Sequence, residues 1–487
     1  MLAEGSWLSL LPSLLAIAFA ILTRRVILAL LGGVILANLL HFFPDVASAG
    51  VGSVQALGSA LIDPGNVQIW AFTLIIGALF GVLEGGGTFR HFVAALERRQ
   101  LGDSPRKARL FTWLIGVAVF IESNVSIMTS GTTSRPLYDR LGESREKLAY
   151  IIDSTCAPIC ILIPLNAWGA FNLGLISAQD IANPLLTFAE SLMYNFYAIF
   201  AVLLALWVAW SGWSFGPMRA ADARARDKFM KQAQRDSQAQ MGTSGDAQAP
   251  MGTSGDAQTP RQPGAAGYDS KAARGVLLCL ISMVLMVPLM LFVTGNGNLV
   301  EGAGTTSVLV AVTTALVIAL IVTRTTQQAS WSALGDYAQL GARKIIPLAV
   351  ILWLAMVLGD MTRLLGTADF ITGLINDSFP TWLLLPIVFV LSALTAFAIG
   401  SSWGTFAIML PLAIPLALNL GLPPAPFIAA AISGGIFGDH ASPISDTTII
   451  ASLAAGTDHV EHVRTQLPYA LLAATATVIV YSLLGLL

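Results

Sequence analysis

The sequence predicts an all-α polytopic membrane protein built from two inverted-topology repeats, each with a re-entrant hairpin and a broken transmembrane helix. Three observations carry this expectation. Of 487 residues, 55% are hydrophobic and 11% charged, whereas soluble domains carry about 25% charged residues. Polar clusters interrupt apolar runs long enough to cross a bilayer, for which about 20 residues suffice. Lys and Arg gather in alternate connections, as the positive-inside rule requires, and the resulting order of elements occurs twice with opposite orientation.

Apolar runs at 7–22 and 26–43 flank Arg24 and Arg25 and read as two helices with a cytoplasmic turn. Residues 44–66 contain Asp45 and Asp63 but no Lys or Arg, which predicts an external connection. A third span, about 67–87, returns inward past Glu84, and the connection 88–109 is rich in Arg and therefore cytoplasmic. Segment 110–134 has basic residues on both sides, so it enters and comes back as a hairpin with a polar tip. Such backbone is tolerated at depth where protein or a wet cavity covers it. A broken helix is predicted at about 148–165, around Asp153, Ser154 and Pro158, followed by an external segment 166–185 and a return over 186–211.

Residues 214–274 divide the chain into repeat 1 (1–213) and repeat 2 (275–487). They contain MGTSGDAQAP (241–250) and MGTSGDAQTP (251–260), a ten-residue duplication. Low hydrophobicity with much Gly, Ser, Gln and Pro predicts a disordered cytoplasmic linker. In repeat 2, spans at 275–294 and 303–323 lead to an inner loop holding Arg324, Arg343 and Lys344, and 345–360 crosses outward. A second hairpin follows at about 385–420 around GSSWGT (400–405), then a broken helix at about 425–453. An inner loop with His459 and His462 precedes the last helix, 466–487, which places both termini outside. On this map every Lys and Arg except Arg363 lies inside.

Other readings of the chain are disfavoured. The balance of 26 basic and 28 acidic residues offers nothing to a nucleic acid. No GxxxxGK[ST] loop supports an ATP-driven pump, and no soluble catalytic or signalling domain is evident, so the chain is not expected to be an enzyme or a sensor. Cys156, Cys160 and Cys279 all lie in apolar segments without a neighbouring His and read as packing residues. MLAEGSW lacks a basic n-region and a cleavage site, so the first apolar run is expected to be retained.

The stretch GDHASPISDTTIIAS (438–452) concentrates the chemistry. An Asp at the membrane centre costs roughly 2.5–3.5 kcal/mol on insertion scales, and this stretch has Asp439 and Asp446. Pro443 removes a helix donor and frees carbonyl oxygens. CAPIC (156–160) echoes ASPIS (441–445), each a few residues after an Asp. The hairpin tips add Glu122, Ser123 and Asn124 in one half and Ser401, Ser402 and Thr405 in the other. Hydroxyls, carboxylates and freed carbonyls are the oxygen ligands a hard cation takes. A carboxylate in low dielectric also holds a proton more readily than in water, so Asp can bind either ion. Hydroxyls in membrane helices also bond their own backbone, His440 is either a proton carrier or a structural partner of an Asp, and Glu84 either carries protons or faces the cytoplasmic interface. Asp439 and Asp446 are seven residues apart, would share a face on a regular helix, and have no basic neighbour in sequence.

GDHASPISDTTIIAS resembles the signature of the NhaC-type sodium/proton antiporters. GSSWGTFAIMLP (400–411) and SREKLAYIIDSTCAPICILIP (144–164) are similar to further segments of that family. The likeness runs from about residue 67 to the end, leaving out the linker. It implies a secondary-active antiporter of the inner membrane within the broader ion-transporter superfamily, exporting Na+ in exchange for H+, commonly as a homodimer and with no cofactor. It also implies cation- or proton-site residues at Asp439, Ser442, Ser445, Asp446 and Thr447, with Asp153 and Ser154 in the companion break. The family's Na+ is expected on Asp439 and Asp446. The same family includes exchangers of organic acids, so an organic acid or amino acid is the alternative cargo. The sequence places no Arg or Lys in a predicted span or tip, which favours a bare cation, although half-helix termini also serve carboxylates.

Overall fold

The computed structural model describes residues 5–97, 104–120, 122–242, 269–374 and 380–486. In chain order the helices are α1 (Leu11–Thr23), α2 (Val26–Phe42), α3 (Val46–Ile62), α4 (Pro64–Gly85), α5 (Thr88–Glu97), α6 (Pro105–Ala118), α7 (Ser123–Leu141), α8 (Arg145–Leu162), α9 (Ala167–Ser177), α10 (Pro184–Met193) and α11 (Phe196–Ser211). They continue as α12 (Pro217–Gly242), α13 (Ser270–Thr294), α14 (Gly304–Thr326), α15 (Trp331–Leu364), α16 (Thr367–Leu374), α17 (Leu384–Ile399), α18 (Ser402–Asn419), α19 (Pro424–Ala441), α20 (Asp446–Ala455) and α21 (His459–Leu484). Among the described residues there is no strand. Among the described residues, seven helices are long and apolar enough to cross a membrane, or up to nine if the bent pairs α8–α9 and α10–α11 each count as one span. The chain is a multi-pass membrane protein.

Two helix–break–helix units recur. In each half a pair of helices meets at a short tip (α6–α7 and α17–α18), and the next helix breaks for four residues. The first break is Ile163–Asn166, between α8 and α9, which are bent by 45°. The second is Ser442–Ser445, between α19 and α20. Each break has Pro in second place (Pro164, Pro443) and ends on a residue that caps the next helix. Asn166 accepts from the Gly169 amide and Ser445 from the Thr448 amide, satisfying amides that a helix start leaves open.

Close backbone contact holds the second unit together. A Cβ on Gly438 would lie 2.1 Å from the Ala393 carbonyl oxygen, so α19 can sit against α17 there because the residue has no side chain. Lipid offers helices no hydrophobic reward for association, and packing of small residues does that work instead. Gly400, at the tip between α17 and α18, has φ +74° and faces the Ile444 backbone inside the second break.

Several expectations are corrected. The first break is not at Pro158, which stays inside α8, but at Pro164, at the end of the apolar run. The segment 166–185, expected outside, forms the buried helix α9 and part of α10. Residues 44–66 are not a plain connection: α3 runs from its cap Asp45, which accepts from the Ser48 amide, to Asp63. The expected inner loop at 324–344 is largely the first part of the 34-residue α15, started by Ser330 as cap. Residues 214–274, expected disordered, carry α12 over 217–242, and most of the duplication lies outside the described residues. Runs of Ala, Arg, Lys and Gln are good helix formers, which composition averaged over the whole segment conceals.

Candidate functional site

The second break, the tip between α17 and α18, and the middle of α8 bring polar groups together in the interior. Asp439, on the last turn of α19, is 2% exposed. Its Oδ2 accepts from Ser402 Oγ at 2.7 Å and lies 3.5 Å from Thr447 Oγ1, while its Oδ1 has no hydrogen-bond partner among the described residues. Ser445 Oγ lies 3.0 Å from Thr447 Oγ1. A buried carboxylate surrounded by hydroxyls, with no Lys or Arg paired to it, is the centre of this cluster.

A second carboxylate sits beside it. Asp153, fully buried on α8, accepts at Oδ2 from Gln466 Nε2 at 2.7 Å and Thr448 Oγ1 at 3.1 Å. Gln466 Nε2 also reaches the His440 carbonyl at 3.0 Å, so α21 ties α8 to the end of α19. His462 lies 4.0 Å from Asp153 Oδ2 and 3.0 Å from Gln466 Oε1, and its other ring nitrogen is 2.8 Å from Ser452 Oγ. Thr447 and Thr448 are consecutive and address Asp439 and Asp153 respectively, which makes α20 the bridge between the two acids.

The remaining expected residues fall in different places. Asp446 is the first residue of α20 and is exposed, where the helix N-terminus favours its charge. Because the chain breaks between them, Asp439 and Asp446 do not share a helical face, contrary to the expectation from their spacing. Ser442 donates to the Phe397 carbonyl at 2.7 Å and fastens the break to α17. Ser401 caps α18 through the Gly404 amide, and Thr405 bonds back to the Ser401 carbonyl at 3.0 Å. Of the second tip, then, Ser402 is the residue that reaches an acid. His440 is buried 3.3 Å from Tyr197 Oη and makes no hydrogen bond to the carboxylate of Asp439 or of Asp153. Ser154 is buried without a hydrogen bond to either acid. Among the described residues, no three of His, Cys, Asp and Glu converge in a metal-binding group.

The first tip is a separate neighbourhood. Glu122 caps α7, accepting from the Asn124 and Val125 amides at 3.0 and 2.7 Å, with buried Ser123 beside it. Glu84, at the end of α4, pairs with Lys344 of α15 at 3.1 Å and is half-exposed. Both Glu84 and Glu122 line a cavity of about 570 Å³.

Sequence reasoning did not single out Gln466 or His462 as part of the site. The available signal was the spacing of His459, His462 and Gln466, which repeats at three and four residues and puts three polar side chains on one face of an apolar helix.

The sequence profile of the Na+/H+ antiporter family matches residues 159–486, more than half of the chain and all of the second break. The chain belongs to the Na+/H+ antiporter family. Within this antiporter family it resembles an uncharacterized protein of Haemophilus influenzae, 30% identical over 98% of this chain and 90% of that one. Shorter matches are to the Na(+)/H(+) antiporter NhaC of Alkalihalophilus pseudofirmus, 28% identical over 32% of each chain, and to the Malate-2H(+)/Na(+)-lactate antiporter of Bacillus subtilis, 36% identical over 22% of each. The fold is similar to that of the Alcanivorax borkumensis YdaH transporter, with TM-score 0.53, 14% identity, and coverage of 97% of this chain and 98% of that one. The antiporter is therefore a secondary transporter.

Proposed function

We propose that this transporter exchanges Na+ for H+ at Asp439, with Asp446 as the acid that Na+ meets on the exposed side of the break. The observation that carries this reading is the setting of Asp439: a buried carboxylate whose neighbours are the hydroxyls of Ser402, Ser445 and Thr447 and not a basic side chain. An unpaired buried charge is costly. A proton removes the charge and a sodium ion balances it, and the two cannot occupy one carboxylate oxygen together. Competition of that kind is sufficient for coupled exchange. Ser402 and Thr447 fix the carboxylate's rotamer, and Thr448 and Gln466 hold Asp153 as the second proton-accepting group of the site.

The repeated helix–break–helix units support division into repeats 1–213 and 275–487, inverted with respect to each other, with the 214–274 segment and its α12 on the cytoplasmic side. The test uses proteoliposomes with an acidic interior and a trapped pH dye. External NaCl should alkalinise the interior, and KCl should do so less. Absence of a response to NaCl, or full activity in Asp439→Asn, would refute the proposal.

A further inference from the structure

A run of hydrogen-bonding side chains connects the surface to the buried Asp153. It begins at His459, the partly exposed first residue of α21, and passes Ser452 of α20. It ends at the fully buried His462, one turn further along α21. His459 Nδ1 lies 3.0 Å and His462 Nδ1 2.8 Å from Ser452 Oγ, both within the reach of about 2.6–3.2 Å that proton transfer needs. His462 Nε2 is 4.0 Å from Asp153 Oδ2.

The outer partners of the two rings decide where their hydrogens sit. His459 Nε2 is 2.7 Å from the Pro443 carbonyl, which only accepts, so that nitrogen carries hydrogen. Gln466 Nε2 donates to Asp153 Oδ2 and to the His440 carbonyl, which leaves Gln466 Oε1 facing His462 Nε2 at 3.0 Å. His462 Nε2 therefore carries hydrogen as well. A neutral imidazole has a single N–H, so with both rings neutral two bare Nδ1 atoms face one hydroxyl. That hydroxyl has one hydrogen, and the Thr448 carbonyl at 2.8 Å also draws it. One added proton resolves the shortage: one ring donates from Nδ1 to Ser452 Oγ, and the hydroxyl donates to the other ring.

The titratable groups facing His462 are Asp153 of α8 and His459 of its own helix. From α19 comes the His440 carbonyl, bonded to Gln466, while the His440 ring lies beside Tyr197 of α11. Near His459 in the chain, Asp458 caps α21, Gly456 accepts from Arg145 of α8, and Glu461 pairs with Arg224 of α12. Asp153 is thus the carboxylate that balances a charge on His462.

We propose that His459, Ser452 and His462 form the proton path to Asp153, an inference that rests on Na+/H+ exchange as the activity. His459 takes a proton from water and becomes charged. Its Nδ1–H bond then breaks as Ser452 Oγ gains that hydrogen, and the hydroxyl's own hydrogen passes to His462 Nδ1. His459 is left neutral, with His462 charged beside Asp153. A closing of about 1 Å brings His462 Nε2 within transfer reach of Asp153 Oδ2. The Nε2–H bond breaks, an O–H bond forms on Asp153, and His462 is neutral with its hydrogen on Nδ1.

The experiment measures efflux of radioactive Na+ from proteoliposomes holding the purified full chain. Exchange for external unlabelled Na+ at equal pH needs no proton, whereas exchange for external H+ without Na+ does. Ser452→Ala and His462→Gln should each slow Na+/H+ exchange about tenfold or more while Na+/Na+ exchange stays within about twofold of the unaltered chain. Ser452→Thr, which keeps a hydroxyl, should recover most of the Na+/H+ rate. His459→Gln should show the same split as Ser452→Ala, in a chain whose buried groups are untouched. A merely structural role lowers both exchanges together, and that outcome in all three variants overturns the path, as does full Na+/H+ exchange in any of them. If the unaltered chain exchanges no Na+ for H+, the Na+/H+ activity itself is refuted, and the path with it.

Discussion

At the scale of single residues, the two breaks have the same plan but different chemistry. In the first, Asn166 Nδ2 donates to the carbonyls of Phe120, Cys160 and Ile163 at 2.9, 2.7 and 3.0 Å, closing the break against the first tip with a neutral amide. In the second, Ser402 at the tip donates to the carboxylate of Asp439, on the last turn of α19 just before the break. Only a carboxylate exchanges a proton for a cation, so the second break is where ion chemistry is expected. Hydrogen bonds to charged groups are worth about 1.5–3 kcal/mol. Ser402→Ala should accordingly raise the Na+ concentration for half-maximal proton flux by about tenfold, read from dye-loaded proteoliposomes, whereas Asp439→Asn should abolish flux without unfolding the chain. Asn166→Asp should destabilise by about 3 kcal/mol or more, since it sets a buried charge against carbonyl oxygens, and the thermal midpoint measures this. Asp439 was legible because a carboxylate in an apolar run demands explanation. Gln466 was not, since an amide near the start of a long helix reads as interfacial until the fold carries it to Asp153.

At the scale of elements, hairpins and breaks depend on each other. Gly400 turns the second hairpin with φ +74°, and a Cβ there would come 2.6 Å from the Ile444 carbonyl oxygen. Gly400→Ala therefore incurs roughly 1–2 kcal/mol for the left-handed backbone as well as pushing the break away. Both a lower thermal midpoint and weaker Na+ activation are expected, while Gly421→Ala, also at positive φ but with open space around it, should lower stability alone. The second break was readable because Pro443 stands inside a polar run where nothing else explains it. The first was misplaced because two prolines compete: Pro158 is accommodated inside a buried helix, as neighbours in a membrane bundle allow, and Pro164 sat at the edge of the apolar run, where a proline reads as an ordinary helix end.

At the scale of the whole molecule, α12 fastens together the ends of helices distant in sequence. Asp222 accepts from Lys147 at 2.6 Å and from the hydroxyls of Ser144 and Ser214, all at the start of α8 or just before α12. Arg224 reaches Glu146 of α8 and Glu461 of α21 at 3.2 and 3.0 Å. Lys147 is 1% exposed, so breaking its pair should cost about 3–5 kcal/mol, whereas the exposed Arg224 pairs contribute about 1 kcal/mol or less. Thermal unfolding of Asp222→Ala beside Arg224→Ala should show that difference, and a small effect of Asp222→Ala would mean α12 does not hold the bundle. The hydrophobic architecture was legible from composition and charge placement. The role of α12 was not, because its anchors are charged residues whose partners lie about 80 and 240 positions away.

The anchoring of α12 has a practical consequence. Its first turns touch the helix that carries Asp153 and the helix that carries Gln466, so a displacement of one relative to the other during turnover must shift or release α12. A pair of spectroscopic labels, one on the exposed face of α12 and one at the start of α13, would then report the conformational cycle with neither label near the ions.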